Sequence, residues 1–401
     1  MTLAKTSRPS LHPFLLVCLL VIVCAFTTNM FAQQNLVYID GNITTSGQNA
    51  VIGLVNDGTG HLTRLPGSPF LTGGTGVGPA AGGTDETWDS DQEVVINPEG
   101  TLLFAVNGDT NTFAVFNLNA DGTLSAIPNS PFASGGSQPA SFGYKDNALG
   151  NGSSMMVVVN KAADPLQAPA APSYTTFTVN SAGVPTLNAG SSFTLATGAA
   201  PGQALIRRGA PTGFFGVEFM AGKISSYKLN RSGIATTTNS LTVPGPKPVD
   251  VGAVLHPTVK GLYLALPGDA EIAVYSYNTA GALTFLRTVA NQGMSVCWLA
   301  VNAAGTRLYS SEPLSSSISV YDLTNPKVPV QLQHMTLSGT GATPAHMRLD
   351  PTGQFLYVLD RLGVLHVLNI NSDGTVTENL TPFSLGLPTG TVPLGLAVLS
   401  K

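Results

Sequence analysis

Three side chains in the last quarter of this sequence could carry out acid-base chemistry together: Glu312, His346 and Arg361. A carboxylate or an imidazole can take a proton from water. A guanidinium can stabilise the oxyanion that forms when water attacks an ester carbonyl. The three residues are remote from one another in sequence, so their convergence depends on the elements that carry them.

Those elements are short β-strands in a repeating pattern. Asp350-Pro351-Thr352-Gly353 has the composition of a type I turn and joins runs rich in β-branched and aromatic residues. A second turn, between the third and fourth strands of each copy, recurs at a spacing typical of propeller blades. In one copy Asn325-Pro326-Lys327 takes the place of this turn. Its glycine falls at Gly58, Gly122, Gly183, Gly233, Gly281 and Gly374.

These copies predict an all-β fold, a seven-bladed β-propeller of four-stranded antiparallel blades. The amino-terminal strands lack a first strand, and Pro393 to Leu399 form a first strand with nothing after it. Pairing of the N- and C-terminal strands would complete the seventh blade and remove the exposed edges of an open sheet array. We therefore expect one domain over residues 33–401.

The amino-terminal segment has the pattern of a secretory signal peptide over residues 1–32. Lys5 and Arg8 precede the apolar run Phe14 to Phe26, and Ala32 is a small residue at a possible cleavage point. A retained membrane anchor is the alternative, because Met30 is unfavourable two positions before that point. The pattern favours cleavage, which predicts a secreted or periplasmic protein with no stable membrane insertion.

Cysteine and charge content restrict the function classes. Cys18 and Cys24 lie in the signal segment, so the mature chain keeps only Cys297 and can form no internal disulfide. Cys297 lies in an apolar strand beside Trp298, which favours a core thiol over a nucleophile. The formal charge of −4 and the lack of a basic run argue against a nucleic-acid partner. A closed ring buries its own core, which predicts a monomer.

Residues at the ends of the second strands would gather on one face of such a ring. Six of the seven are Asp, Asn or Glu: Asp40, Asn107, Asn160, Glu218, Leu266, Glu312 and Asp360. They either cap the following loops or line a polar pocket with Arg361 and His346. An acidic insertion at Asp85, Glu86, Asp89 and Asp91 enters from the same side, and we expect it to be a solvated loop. No histidine shares metal-ligand spacing with another, so the sequence predicts no metal and no cofactor.

Two stretches resemble the lactonase family of seven-bladed propellers, which includes 6-phosphogluconolactonase and the muconate-cyclising enzymes. They are the turn at Asp350 with Phe355-Leu356-Tyr357-Val358, and the segment Ser311 to Tyr321. The resemblance implies three site features. A Pro-Arg-His begins the first strand of one blade, a Glu ends the second strand of the same blade, and an Arg lies in a loop of the following blade. Glu312 and Arg361 match, whereas Val296-Cys297-Trp298 replaces the Pro-Arg-His. His346, one blade away, could supply the imidazole.

The resemblance predicts an exported lactonase that hydrolyses a sugar or aryl lactone, with a small-molecule lactone or carbohydrate as ligand. Glu312 would activate water and Arg361 would stabilise the oxyanion. The alternative is a non-catalytic periplasmic or cell-surface propeller that binds a glycan, peptide or protein. Loss of the Pro-Arg-His favours binding, and retention of Glu312 with Arg361 favours an enzyme.

Overall fold

The computed structural model describes residues 1, 2, 4, 34–78, 88–164, 166–209, 212–243 and 252–401. The chain divides into two units, Met1–Ala32 and Gln33–Lys401. Most of the expected signal peptide, including Lys5, Arg8 and the apolar run, lies outside the described residues, as do Asp85 and Glu86. None of the described segments forms a helix long and apolar enough to cross a bilayer.

The described strands form seven antiparallel sheets, which confirms the predicted seven blades. Blade 1 contains β1 (Asn35–Asp40), β2 (Ala50–Asn56), β3 (Leu62–Arg64) and β4 (Phe70–Leu71). Blade 2 contains β5 (Val94–Ile96), β6 (Leu102–Asn107), β7 (Thr112–Leu118), β8 (Leu124–Ala126) and β9 (Phe132–Ala133). Blade 3 contains β10 (Pro139–Lys145), β11 (Ser154–Asn160), β12 (Ser173–Val179), β13 (Pro185–Leu187) and β14 (Phe193–Thr194).

The later blades repeat the order of first, second, third and outer strand. Blade 4 contains β15 (Pro201–Ile206), β16 (Gly213–Glu218), β17 (Lys223–Leu229) and β18 (Ala235–Thr242). Blade 5 contains β19 (Ala253–Leu255), β20 (Gly261–Leu266), β21 (Glu271–Tyr277) and β22 (Leu283–Ala290). Blade 6 contains β23 (Trp298–Val301), β24 (Arg307–Glu312), β25 (Ser317–Asp322) and β26 (Val330–Thr336). Blade 7 contains β27 (Pro344–Leu349), β28 (Phe355–Asp360), β29 (Val364–Ile370), β30 (Val376–Thr377) and β31 (Phe383–Ser384), and two 3-10 turns occupy Phe219–Ala221 and Pro313–Ser315.

The last strand, β32 (Leu394–Ser400), closes the ring by pairing antiparallel with β1. Leu36 is opposite Leu399, and Tyr38 is opposite Ala397. Beyond the strand ends, Gln34 and Lys401 exchange two backbone hydrogen bonds of 3.0 Å each. The prediction that the two ends of the chain complete one blade is confirmed, with β32 as its innermost strand.

Tyrosines on second strands form hydrogen bonds between neighbouring blades. The hydroxyl of Tyr38 in blade 1 donates to the Gly122 carbonyl in blade 2 at 2.6 Å. The hydroxyl of Tyr309 in blade 6 donates in the same way to Gly374 in blade 7 at 3.0 Å. Both acceptors are the turn glycines of the repeat, and both have positive φ, which a residue with a Cβ rarely adopts. The repeated glycine therefore serves the turn and also places a carbonyl against the neighbouring blade.

The core lies between the blades. Tyr38 and Val51 of blade 1 pack with Leu103 and Phe116 of blade 2, and Ala397 of the closing strand joins the same cluster. Similar clusters of buried apolar residues fill each interface around the ring. The candidate site lies at the ends of these packed strands: His346 is in the first strand β27, Glu312 ends the second strand β24, and Arg361 follows the second strand β28.

Candidate functional site

Glu312 ends β24 on the upper face, which carries the loops between second and third strands. Its side chain is fully buried, and its carboxylate accepts hydrogen bonds from Ser310 at 2.5 Å, Asn291 at 2.9 Å and Ser317 at 2.9 Å. Burial outweighs these bonds and raises the pKa of Glu312 to about 7. A carboxyl with this pKa can exchange a proton at neutral pH. The backbone of Gly293 covers this side chain, since a Cβ there would lie 2.5 Å from Glu312 Cγ.

Arg361 follows β28 in blade 7 and has a fixed position. Its guanidinium lies over the Trp298 ring, 5.0 Å from the centroid, and bonds the carboxylate of Asp89. Asp360, the preceding residue, accepts a hydrogen bond of 2.7 Å from the Leu362 backbone N–H and so holds the loop. Trp298 therefore provides, in the place of the expected Pro-Arg-His, an aromatic surface for the cation.

His346 lies in β27 and is fully buried. Its Nε2 is 2.9 Å from the Ser90 carbonyl and 3.1 Å from Glu93 Oε1. Its ring centroid is 5.0 Å from that of Trp298. The imidazole therefore faces residues 90 and 93 and has no exposed surface.

Cys297 and Trp298 lie between the three predicted residues. Trp298 contacts both His346 and Arg361. Burial raises the pKa of the Cys297 thiol to about 12, and the thiol also interacts electrostatically with Asp89, Arg361 and Glu312. The thiol is therefore protonated at neutral pH and packs in an apolar cluster, so the expectation of a core cysteine is confirmed. The three predicted residues lie around the start of β23, and none of the hydrogen bonds or ion pairs among the described residues joins two of them.

A four-residue segment crosses the channel at this level. We call residues Trp88, Asp89, Ser90 and Asp91 the strap. Lys161 of blade 3 donates to the Asp89 carbonyl at 2.6 Å, and the Trp298 indole of blade 6 donates to the Ser90 carbonyl at 2.8 Å. The Asp91 backbone N–H donates to Gly202 of blade 4 at 3.3 Å, and Asp91 Oδ1 accepts from Arg348 of blade 7 at 2.7 Å. The strap therefore joins four blades across the axis of the ring.

Residues 216–388 match the sequence profile of the family described as lactonase, 7-bladed beta-propeller. The predicted resemblance to the lactonase propellers is confirmed. All three predicted site residues lie inside the matched segment. No curated protein matches the chain significantly.

Solved structures share this lactonase-like fold at low sequence identity. The periplasmic gluconolactonase of Pseudomonas aeruginosa superposes with a TM-score of 0.69 at 15% identity over 91% of this chain and 99% of that one. A candidate 6-phosphogluconolactonase of Bacteroides fragilis gives 0.68 at 14% identity over 93% and 99%. A protein of Lactobacillus plantarum gives 0.67 at 15% identity over 92% and 99%. At these identities the likeness shows the fold alone.

The buried strap corrects one expectation for this lactonase-like propeller. The acidic insertion was expected to be a solvated loop, but Asp89 and Asp91 are 13% and 4% exposed and pair with Arg361 and Arg348. The arginines provide the compensation that a buried carboxylate needs. Sequence reasoning could not find these pairs, because 272 and 257 residues separate their members.

The residues that end the second strands mostly cap loops and bond neighbouring strands. Asp40 accepts from the Asn42 backbone at 2.9 Å, and Glu218 accepts from the Tyr227 hydroxyl at 2.9 Å. Asn107 accepts from Thr72 at 2.6 Å. All seven are buried, so they do not form one open polar pocket. The capping interpretation therefore describes this set better than the pocket interpretation.

Glu93 is the site residue that sequence reasoning missed. It precedes β5, is fully buried, accepts from Ser90 Oγ at 2.6 Å and contacts His346 across the channel. In the sequence, Glu93 is marked only by its position just before an apolar first strand. A charge buried there destabilises the fold unless it has a partner. That signal indicates a partner without identifying it.

One cavity adjoins the strap, and a second lies beside the loop that covers Glu312. One of about 400 Å³ opens on the lower face, and Asp91, Gln203 and Arg348 line it. The other, of about 480 Å³, is an open groove on the upper face between blades 5 and 6, where Asp269, Met294 and Leu314 contribute to its lining. The upper groove adjoins the loop that covers Glu312, so a small molecule could approach the carboxyl from that side.

Proposed function

We propose that the protein is an exported lactone hydrolase that opens an unphosphorylated sugar or aryl lactone. The observation that carries this proposal is the position of Glu312 and Arg361 beside the start of β23: Arg361 lies 5.0 Å from the Trp298 ring centroid, and Trp298 pairs with Ser311, the residue before Glu312. One is a carboxyl with a pKa of about 7, and the other is a guanidinium stacked on an indole. The lactonase profile covers both residues.

In the proposed reaction, Glu312 takes a proton from a water molecule as that water attacks the lactone carbonyl carbon. The carbonyl oxygen becomes an oxyanion, and Arg361 stabilises it. The ring C–O bond then breaks, and the alkoxide leaving group receives the proton from Glu312. The product is a hydroxy acid, and the carboxylate of Glu312 is regenerated.

The strap must leave Arg361 for this reaction to occur. Asp89 occupies the guanidinium, and the Asn291 to Ser295 loop covers Glu312. A bound lactone would replace the Asp89 carboxylate as the partner of Arg361. The described arrangement is therefore the closed form of the proposed enzyme.

Export is part of the proposal. The charged and apolar amino-terminal pattern supports it, as does the periplasmic location of the Pseudomonas aeruginosa gluconolactonase. An exported enzyme would meet unphosphorylated lactones, which is why phosphorylated sugar lactones are not proposed as its substrates.

The test is hydrolysis of a panel of phosphorylated and unphosphorylated lactones by residues 33–401, followed in a pH-stat. We expect Glu312→Gln and Arg361→Ala each to lower kcat/KM by at least about 100-fold. Glu218→Gln is the matched control, because Glu218 is a buried carboxyl that ends the second strand of blade 4. Unchanged hydrolysis in Glu312→Gln would refute the role of the carboxyl.

A second candidate function is a non-catalytic periplasmic or cell-surface binding propeller. The observation that favours it is that Glu312 and His346 have no exposed side-chain surface while the strap joins four blades. Glycan and peptide arrays probed with the purified chain would test it. A specific ligand, together with no hydrolysis of any lactone by either the wild-type chain or Asp89→Asn, would establish binding as the function.

A further inference from the structure

Three metal-ligating side chains meet at the channel axis. Asp91, Glu93 and His346 are all buried, and one ligand atom from each lies within 4.8 Å of the other two. His346 Nε2 is 3.1 Å from Glu93 Oε1 and 2.9 Å from the Ser90 carbonyl oxygen. Ligand atoms around a small six-coordinate cation, with bonds of roughly 2.1 Å, also lie about 3 Å apart.

The backbone of the closing strand makes room for this cluster. Gly395 of β32 has φ +58°, and a Cβ there would lie 2.7 Å from Glu93 Oε2 and 2.9 Å from Glu93 Cβ. Blade 1, which contains β32, lies between blade 2 and blade 7 in the ring. Only a glycine at this point lets the Glu93 side chain pass beside β32 to reach His346.

Two polar atoms of the cluster have no hydrogen-bond partner among the described residues. They are Glu93 Oε2 and His346 Nδ1, and both are inaccessible to solvent. A buried polar atom without a partner destabilises the folded protein, because it has lost its hydrogen bonds to water. A carboxylate oxygen left in this state beside an imidazole and a second carboxylate indicates a missing ligand with positive charge.

We propose that Asp91, Glu93 and His346 bind one divalent first-row metal cation that fastens the strap to blade 7. His346 would bind through Nε2, and its proton would move to Nδ1. The Ser90 carbonyl oxygen is a fourth ligand at suitable spacing. One imidazole with several oxygen ligands suits Mn²⁺ or Zn²⁺ better than Ca²⁺, which prefers oxygen alone.

Arg348 orients one of these ligands. It donates to Asp91 Oδ1 at 2.7 Å, while in the described part of the chain Oδ2 receives a long contact of 3.4 Å from Gln203. Hydrogen bonds from outside a metal site commonly fix its carboxylate ligands in this way. The sequence predicted no metal. It gave no sign of this site because Glu93 and His346 are 253 residues apart.

The same fold contains a matched cluster that lacks this geometry. His366 has Glu378 Oε1 2.6 Å from Nδ1 and Asp360 Oδ2 3.5 Å from Nε2. The two carboxylates face different nitrogens of the ring and cannot share one ion with it. Glu378→Gln is therefore a control that perturbs a buried histidine–glutamate pair without touching the proposed metal site.

The experiment is calorimetric titration of Mn²⁺, and separately of Zn²⁺, into residues 33–401 after treatment with EDTA. We expect one ion per chain. We also expect Glu93→Gln to weaken binding by more than the 10–100-fold that loss of an outer hydrogen-bond partner costs. Glu378→Gln should bind as the wild-type chain does. Circular dichroism of each variant shows whether it has folded.

Tryptophan fluorescence gives a second readout at the site itself. The chain has two tryptophans, so Trp88→Phe leaves Trp298, whose ring is 5.0 Å from that of His346. Paramagnetic Mn²⁺ bound at His346 should quench this emission. The proposal is overturned if the wild-type chain takes up neither ion, if Glu93→Gln binds as tightly as wild type, or if Glu378→Gln loses binding equally. Because no substrate is needed, these outcomes are independent of lactone hydrolysis.

Discussion

The clearest prediction concerns the histidine between two carboxylates in blade 7. Burial alone would lower the pKa of His366, but the hydrogen bonds and charges of Asp360 and Glu378 outweigh it and raise the pKa to about 9. The folded protein therefore holds a proton on His366 that the unfolded chain loses above its ordinary pKa of 6.5. This contribution to stability is complete below pH 6.5 and is lost as the pH rises through about 9.

The size of this effect follows from the same two values. The difference between about 9 and 6.5 corresponds to at most about 3 kcal/mol in the free energy of unfolding. Urea denaturation at about pH 6 and about pH 9.5, followed by tryptophan fluorescence, measures it. The wild-type chain should lose up to about 3 kcal/mol more than His366→Gln between these two conditions.

Other groups also titrate over part of this range, so the difference between the two proteins is the decisive quantity. The carboxyls of Glu312 and Asp40 have pKa values raised to about 7 and about 8 by burial, and their ionisation also destabilises the fold as the pH rises. Both groups are present in wild type and in His366→Gln. His61→Gln, at an exposed histidine, is the control that should keep the wild-type slope. An equal loss of stability in His366→Gln and wild type would refute the assignment of the proton to His366.

Three further predictions concern the candidate site and the closing strand. If Glu312 is the general base, initial rates of lactone hydrolysis should rise with pH about a midpoint near 7, because the ionised form is active; a flat pH–rate profile would contradict this. Asp89→Asn weakens the ion pair with Arg361 and should lower KM for a lactone by about 3–10-fold in the same assay. An unchanged KM would show that the strap does not compete with the substrate. Gly395→Ala places a Cβ 2.7 Å from a carboxylate oxygen, so its free energy of unfolding in urea should fall by about 2–4 kcal/mol. The control Gly390→Ala, where φ is positive but no atom lies nearby, should lose about 1 kcal/mol. Equal losses in the two variants would show that the close approach has no cost.

The sequence allowed the fold to be predicted because the fold is built from local signals repeated several times. The turn at Asp350 has its expected hydrogen bond, from the Gly353 N–H to the Asp350 carbonyl at 3.0 Å. The six turn glycines from Gly58 to Gly374 all have positive φ. Ring closure followed from counting strands, since one strand was missing at one end and one was left over at the other. Each of these inferences depends on residues within a few positions of one another or on their repetition.

The site could be predicted only in part because it depends on contacts across the ring. Topology placed His346 near the channel, but nothing local to it indicates that Glu93 lies opposite. The strap was visible as an acidic insertion, and acidic insertions are usually solvated. Its burial follows from Arg348 and Arg361, more than 250 residues later in the chain. Glu312 was predicted from its place at the end of a second strand and from a resemblance, and its pKa of about 7 follows from burial that the strand pattern did not show.

The pairing of β1 with β32 also sets the order in which the ring can form. β1 is synthesised long before its inner neighbour β32, so blade 1 stays incomplete until residues 394–400 have been made. Until then, one edge of β1 has no partner and exposes unpaired backbone groups, a state prone to association with other chains. Ring closure therefore waits for β32, and any factor that prevents aggregation of the nascent chain must act before residues 394–400 arrive.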